Sequence, residues 1–196
     1  MSATPTERGS VLVITGPPGS GKSTVAPRLA RRLGPSVACI ESDWFWTTIH
    51  AGFVEPWRPE SDHQNRTVLR AATSAAAELA IGGYRVVVDG VIGPWHLAHI
   101  TSILDARGIG LDYAVLRPAL ATCLARAEAR SAEPPRVPGH PPLAASGPIR
   151  HMWAQFADLG DYEAHVLDTT GHDPAWTVDR LEGLLAAGRL RIDPAT

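Results

Sequence analysis

A glycine-rich run near the start of the chain has the residue types and spacing of a phosphate cradle. Positions 16–23 read Gly-Pro-Pro-Gly-Ser-Gly-Lys-Ser, which satisfies the pattern G-x-x-x-x-G-K-[ST]. Glycines let backbone N–H groups turn toward phosphate oxygens without a clash from a Cβ atom. Lys22 can reach the β- and γ-phosphates of a nucleotide, and the Ser23 hydroxyl can bind Mg²⁺. We therefore predict an ATP site at Gly16, Gly19, Ser20, Gly21, Lys22, Ser23 and Thr24.

Lys22 is also the only lysine of the chain, since the other long basic side chains are all arginines. A compact ammonium group fits a phosphate cradle, whereas a planar guanidinium does not fit the same space. The composition therefore supports a catalytic role for Lys22 at the transferred phosphoryl group.

The elements that must position this cradle alternate along the chain between short apolar strands and amphipathic helices. The predicted strands span 11–14, 37–40, 85–88, 111–116 and 165–167. The predicted helices span 23–33, 44–51, 62–81, 94–107, 119–130, 149–159 and 174–187. This alternation predicts an α/β fold with three α/β/α layers and a five-stranded parallel sheet. We expect one domain over 1–196, without internal repeats.

Composition narrows the classes of partner. The chain has 196 residues, 44% of them hydrophobic, and a net charge of -2, so it carries no strongly basic balance that would indicate nucleic acid or an anionic membrane. Cys39 and Cys123 both lie in apolar stretches, which predicts two buried free thiols in a reducing compartment. We find no signal-peptide pattern and no apolar run of membrane-spanning length, so we expect a cytoplasmic protein.

With these motifs in place, the chain resembles the small-molecule kinases of the P-loop fold, which include shikimate and gluconate kinases and the chloramphenicol phosphotransferase type. It is similar also to the tunicamycin-resistance type of ATP-binding protein. The resemblance covers nearly the whole chain, and its specific motif is the cradle at 16–23. It implies a nucleoside/shikimate kinase-like fold with a short lid, the use of ATP and Mg²⁺, and transfer of the γ-phosphoryl group to a hydroxyl of a small molecule such as an antibiotic or a sugar acid.

The resemblance implies roles for three carboxylates that follow predicted strands. Asp43 occupies the position that contacts the acceptor hydroxyl and acts as its base in such kinases. Glu41 corresponds to a carboxylate that helps to hold Mg²⁺, and Asp89 resembles a Walker B position, near both metal and acceptor. The alternatives are that Asp43 caps a helix and that Asp89 belongs to an Asp-Gly turn.

Two arginines resemble those that open the lid in this family. Arg126 and Arg130 are four residues apart, and a guanidinium there can stabilise charge that builds on the γ-phosphoryl oxygens. We predict that both are catalytic and that Arg126 also contacts the nucleotide. The proline-rich segment 131–148 is the predicted lid, with Arg136 and Arg150 able to swing inward on closure. The alternative is a solvated helix face.

The run at 168–171 follows the last predicted strand, where related kinases hold the adenine through backbone atoms. The resemblance therefore assigns nucleotide contacts to Asp168 and Thr169, and an ordinary loop is the alternative.

The segment 44–81 lies where this fold builds its acceptor pocket, and it is rich in tryptophan and arginine. Aromatic walls with a few polar groups suit a partly apolar, hydroxylated small molecule. Packing of the tryptophans between helix and sheet is the alternative. The predicted acceptor residues, besides Asp43 and Asp89, are Trp44, Trp46, Arg58, Arg66 and Trp95, and His96 is predicted to line the same cleft.

Two other functions compete with a hydroxyl kinase. A nucleoside monophosphate kinase would need arginines for the acceptor phosphate, and Arg58 and Arg66 leave that reading open. A P-loop switch or motor ATPase would need further domains or a subunit interface with an arginine finger. The tryptophan-rich segment favours the hydroxyl kinase.

Overall fold

Six strands form one sheet in the computed structural model, which describes residues 8–132 and 143–193. Five of them run parallel in the order β2-β3-β1-β4-β5, and the sixth pairs antiparallel with β4. Their bounds are β1 Val11–Thr15, β2 Val37–Glu41, β3 Arg85–Asp89, β4 Leu111–Leu116, β5 Val166–Leu167 and β6 Arg191–Ile192. The predicted five-stranded parallel sheet is confirmed. The sequence did not predict β6, because two residues are too short for a strand pattern.

Helices cover both faces of this sheet, as predicted. One face carries the α1 and α7 side chains of an apolar cluster that includes Leu29 and Leu181. The other face carries α3 and α4, with Ala76 and Leu104 in its cluster. The helix bounds are α1 Lys22–Ala30, α2 Asp43–Trp46, α3 Asp62–Ile81, α4 Leu97–Asp105, α5 Leu120–Arg130, α6 Ser146–Gln155 and α7 Pro174–Ala186.

The alanine-rich face of α3 lets this helix lie close to the sheet. Ala76, Ala77 and Ala80 are fully buried within the larger apolar cluster. A larger side chain at such a site has no space, and overpacking a core typically costs about 1–3 kcal/mol. The alanines of α3 therefore fix the distance between the helix and strands β1 and β3.

The carboxyl ends of the parallel strands align at one edge. The register pairs Ile14 of β1 with Asp89 of β3, and Asp89 with Glu41 of β2. In an open parallel sheet, ligands bind beyond the carboxyl ends of the strands. The register therefore brings both acidic side chains to the edge where the loop after β1 begins.

Several predicted element bounds differ from the structure, and the differences are largest at two helices. The helix predicted at 44–51 ends at Trp46, where the hydroxyls of Thr47 and Thr48 donate to the carbonyls of Trp44 and Phe45. Such local side-chain bonds compete with continued helix. The helix predicted at 149–159 is α6, which starts earlier and includes the last residues of the predicted lid.

The lid predicted over 131–148 stays a prediction. Positions 133–142, including Arg136, lie outside the described residues. Of this segment, residues 131–132 follow the end of α5, and residues 143–148 lead into α6 and form its first turn.

The prediction of two buried thiols is half wrong. Cys123 is buried, but Cys39 is exposed because β2 is the edge strand of the sheet. Strand order decides this exposure, and a single apolar run does not reveal strand order. Within residues 8–132 and 143–193, no helix is both long and apolar enough to cross a membrane.

Candidate functional site

The loop between β1 and α1 has a positive φ at three glycines, and at two of them there is also no room for a Cβ atom. Gly16 has φ 144°, and a Cβ there would lie 2.1 Å from the Leu116 carbonyl oxygen. Gly19 has φ 81°, and a Cβ there would lie 2.3 Å from the Cys123 carbonyl oxygen. The cradle is therefore packed tightly against the end of β4 and the first turns of α5. Gly21, also with positive φ, is the N-cap of α1.

Lys22 begins α1, and its side chain is buried. Thr24 lies in the same first turn of the helix. The ammonium Nζ donates a hydrogen bond to the Pro17 carbonyl oxygen at 3.3 Å. Burial lowers the pKa of Lys22, and the nearby carboxylates of Asp43 and Asp89 oppose that shift. The ammonium therefore lies within electrostatic reach of both acids.

The Ser23 hydroxyl donates a hydrogen bond to the Asp89 carboxylate. Asp89 is buried, and burial raises its pKa to about 7, an effect that Lys22 and this hydrogen bond oppose. Glu41 and Asp43 add to the rise through their negative charge. A buried carboxylate crowded by two others is a site that favours a cation.

Asp43 is exposed at the first position of α2, and Glu41 is half-buried at the end of β2. Both line the same cavity as Lys22. The N-cap of α2 is Ser42, not Asp43, so the capping alternative for Asp43 is wrong. The Ser42 backbone N–H donates to the Asp89 carbonyl oxygen at 2.8 Å, which fixes the end of β2 against β3.

Two arginines of α5 reach toward the cradle. The Arg126 guanidinium donates to the Ser20 carbonyl oxygen at 3.3 Å. Arg130 lines the cavity, and its positive charge contributes to the lowered pKa of Lys22. Both side chains are half-buried rather than spread on a solvated helix face. They stand where a guanidinium can meet phosphate oxygens.

Most of these groups line one cavity of about 540 Å³, whereas Asp89 and Arg126 are not among its lining residues. Its cradle end contains Lys22, Ser23, Glu41, Asp43 and Arg130. Its other walls are built largely from aromatic, apolar and amide side chains. The larger side chains of these walls belong to Trp46, Phe53, Trp57, Arg58, Asn65, Leu69, Trp95, His96, His151, Met152 and Gln155.

The structure brings four of the seven predicted acceptor residues to this cavity, and Asp43 is one of them. Trp46, Arg58 and Trp95 line it, and the Trp46 indole N–H donates to Asn65 Oδ1 at 2.9 Å. Trp46 is thereby both packed and lining, so the two interpretations of the tryptophans coexist at this residue. Its hydrogen bond holds the indole in one orientation.

The other three predicted acceptor residues, Trp44, Arg66 and Asp89, do not line the cavity. Trp44 is exposed on α2 and does not line the cavity. Arg66 lies on the solvent side of α3, with Nη2 2.7 Å from an Asp62 carboxylate oxygen. The structure therefore does not bring Trp44 or Arg66 together with the other predicted residues.

Sequence reasoning missed several polar side chains of the cavity, among them Asn65, His151 and Gln155. The last two are four residues apart on α6, and their Nε2 atoms are 3.3 Å apart. Spacing of four on a helix places side chains on one face, which was the available signal. Arg150 is exposed on the same helix and does not line the cavity.

The loop at 168–171 lies beside the start of α5. Hydrogen bonding from the Thr170 side chain, and then from the Thr170 backbone N–H at 2.8 Å, lowers the pKa of the Asp168 carboxyl. The Thr170 hydroxyl accepts from the Ala119 backbone N–H at 2.8 Å. Within this loop, Thr169 is buried. Asp168 therefore stabilises the loop itself, whichever ligand the loop contacts.

A metal ion would need help from a ligand at this site. In the described part of the chain, no group of three or more His, Cys, Asp or Glu side chains is placed to hold a metal. Mg²⁺ is ordinarily bound through one or two carboxylates plus nucleotide phosphates. Ser23 and Asp89 fit this arrangement, in which the protein supplies few ligands and the nucleotide supplies the others.

Comparison with known proteins begins with a short match in sequence. The chain is 47% identical over 49 residues to a probable adenylyl-sulfate kinase of Aeropyrum pernix. That stretch is 24% of this chain and 27% of the relative. The chain thus matches about a quarter of the length of this curated relative.

Two solved structures share the fold over nearly their whole length. The Mycobacterium tuberculosis APS kinase CysC, in complex with AMPPNP and APS, is 23% identical, with 91% of this chain and 98% of that chain covered and a TM-score of 0.62. The Deinococcus radiodurans tunicamycin resistance protein is 17% identical, with 95% and 100% covered and a TM-score of 0.63. The resemblance to P-loop kinases is confirmed at the level of the fold.

A family model extends the likeness from fold to sequence. The model AAA_33, described as AAA domain, matches residues 11–147, which include the cradle, β2, β3 and α5. The match spans more than half of the chain. This protein therefore belongs to the AAA_33 family of AAA domains and has the fold of the P-loop kinases.

Proposed function

We propose that this protein transfers the γ-phosphoryl group of ATP to a hydroxyl group of a small molecule. The observation that carries the proposal is that Lys22 and Asp43 line one cavity whose remaining walls include three tryptophans, a phenylalanine and two amide side chains. A kinase needs the donor phosphate and the acceptor hydroxyl in a single sheltered space. A switch or motor ATPase does not need aromatic walls in the cavity that adjoins its phosphate cradle.

In the proposed reaction, the acceptor hydroxyl oxygen attacks the γ-phosphorus, and the bond from that phosphorus to the oxygen bridging to the β-phosphate breaks. ADP leaves with that oxygen, and the Asp43 carboxylate takes the hydroxyl proton. Lys22 and Arg130 stabilise the negative charge on the γ-phosphoryl oxygens. Arg126, bonded to the backbone of Ser20, supports the cradle and the nucleotide phosphates.

Mg²⁺ fits the residues at the end of the cradle. The Ser23 hydroxyl and the Asp89 carboxylate would hold it, with Glu41 adjacent to Asp89 in the sheet register. When bound, the ion neutralises phosphate charge that the protein otherwise meets with Lys22 and the arginines. The loop containing Asp168 and Thr169 is the proposed contact for the nucleobase.

The test combines the purified protein with ATP, Mg²⁺ and a panel of hydroxylated compounds. The panel spans sugar acids, shikimate-like acids, nucleoside monophosphates, neutral glycosides and hydroxylated antibiotics. We expect at least one compound to gain the mass of one phosphoryl group, and the Lys22→Ala variant to produce none. ATP binding without a phosphorylated product from any compound would contradict the proposal.

A further inference from the structure

We propose that the acceptor is an uncharged alcohol carrying a ring, and that this ring lies against the indole of Trp95, with Gly93 setting the position of the indole. The inference rests on the proposed phosphotransfer and narrows its acceptor class. It separates a neutral acceptor from the sugar acids and nucleoside monophosphates that remain open under the proposed function.

The charges at the acceptor end of the cavity oppose an anion. Arg58 is the arginine that residues 8–132 and 143–193 contribute to that wall, and its Nε lies 3.2 Å from a Glu55 carboxylate oxygen. The Asp62 carboxylate also lines the cavity, while its partner Arg66 lies outside it. An anionic acceptor would compete with Glu55 for Arg58 and would face Asp62. Juxtaposed like charges make such binding unfavourable.

The other polar groups of this wall suit hydroxyls. Burial and then the charge of His99 lower the pKa of His96 to about 4, so its imidazole is neutral at neutral pH. It can exchange hydrogen bonds with an alcohol without attracting an anion. The Gln155 amide, close to His151, also faces the cavity. These side chains offer both donors and acceptors to an uncharged ligand.

Trp95 offers an aromatic surface inside the cavity. This residue remains 49% exposed, although tryptophan is highly buried on average. One edge is held by Phe156, with ring centroids 5.5 Å apart and an interplanar angle of 62°. A large indole that lines a cavity and still faces solvent is a suitable platform for the ring of a ligand.

Gly93 determines where that indole lies. A Cβ at Gly93 would stand 2.2 Å from two ring carbons of Trp95 and 2.4 Å from a third. The indole therefore packs directly on the Gly93 backbone. Gly93 has φ -70° and ψ 164°, which alanine adopts without strain, so Gly93→Ala moves the indole without disturbing the backbone. Gly93 is thus a positioning residue for acceptor specificity.

The test uses pairs of compounds that share a ring and differ in charge: phenyl β-D-glucopyranoside with phenyl β-D-glucuronide, and methyl shikimate with shikimate. Binding is followed by tryptophan fluorescence without nucleotide, and phosphate gain by mass spectrometry with ATP and Mg²⁺. We expect the neutral member of a pair to bind at least about tenfold more tightly than its anion, because a charged group desolvated beside like charge is penalised. Equal or tighter binding of the anions overturns the inference, and so does the absence of binding by every neutral member.

Binding and turnover separate this inference from the proposed function. Binding of neutral members without phosphate gain would support the acceptor class and contradict phosphotransfer. Phosphorylation of the anions alone would support phosphotransfer and overturn the acceptor class.

The variant Gly93→Ala tests the platform itself. We expect its KM for the neutral acceptor to rise about two- to tenfold, the range of one aromatic contact, with kcat unchanged. Gly183→Ala is the matched control, because a Cβ at Gly183 on α7 meets no atom within 4 Å. An unchanged KM in Gly93→Ala would show that the Trp95 indole does not contact the acceptor.

Discussion

The Ser23 hydroxyl at the start of α1 donates a hydrogen bond to the Asp89 carboxylate at the end of β3. This bond joins the phosphate cradle to the neighbouring strand at the carboxyl edge of the sheet, which is where ligands bind in open parallel sheets. It also places a hydroxyl and a buried carboxylate side by side, the pair that we propose holds Mg²⁺. The cradle, Asp89 and Glu41 thus lie at one edge of the sheet, and α2 with Asp43 follows directly after that edge.

Replacing Lys22 tests the cradle. We expect Lys22→Ala to lower kcat/KM by about a hundredfold or more, because it removes a charge aimed at the transferred phosphoryl group. Lys22→Arg should be similarly impaired, since a guanidinium does not fit the same space. Thermal unfolding should change little, because the buried ammonium makes one long hydrogen bond, to Pro17 at 3.3 Å. A Lys22→Ala variant with the activity of the parent would contradict the proposed role of Lys22 in phosphoryl transfer.

Asp43→Asn tests the proposed base. The amide cannot accept the hydroxyl proton, so kcat should fall by about 10²–10⁴, the contribution typical of general base catalysis. ATP affinity, measured by calorimetry, should stay near that of the parent. Asp105→Asn, at an exposed position of α4, is the matched control. Equal turnover of Asp43→Asn and the parent would remove Asp43 from the chemistry.

Arg130→Ala tests the role of α5. Arg130 lines the cavity near Lys22, so its loss should lower kcat by roughly a hundredfold through weaker stabilisation of phosphoryl charge. Arg180→Ala, on the exposed side of α7, is the control and should behave as the parent does. If kcat were the same in both variants, Arg130 would belong to an ordinary helix surface.

His96 should make stability depend on pH. Its pKa is lowered from 6.5 to about 4 in the folded protein, so between these values the unfolded chain binds a proton that the folded chain does not. Stability therefore falls as pH drops through this window. The groups that face His96 are His99, Asp62 and Arg66.

The variant His96→Gln isolates that contribution. Its melting temperature should fall less between pH 6.5 and pH 4 than that of the parent, because glutamine does not titrate. His50→Gln, at an exposed position, should follow the parent curve. Parallel curves for His96→Gln and the parent would show that His96 is as easily protonated when folded as when unfolded.

The sequence predicted best where local physics decides the structure. Helix α3 spans 62–81 as predicted, because an alanine-rich periodic run stops at Gly82. The cradle glycines were predicted from spacing, and the positive φ angles of Gly16 and Gly19 explain why that spacing requires glycine.

The sequence predicted least where the outcome depends on which face of an element meets the cavity. Trp44 and Trp46 are two residues apart on α2, so about 200° of rotation separates them. One indole therefore lines the cavity while the other faces solvent. Cys39 was predicted to be buried, but the edge position of β2 exposes it, and strand order is a property of the whole sheet.

Isotope transfer tests the central claim most directly. ATP labelled with ¹⁸O at the three terminal γ-phosphoryl oxygens is incubated with the protein, Mg²⁺ and the acceptor panel, and the products are weighed by mass spectrometry. We predict that a phosphorylated acceptor carries all three labelled oxygens and that the bridging acceptor oxygen is unlabelled, as direct attack by the hydroxyl requires. Labelled inorganic phosphate as the only product would contradict the account and identify the protein as an ATPase.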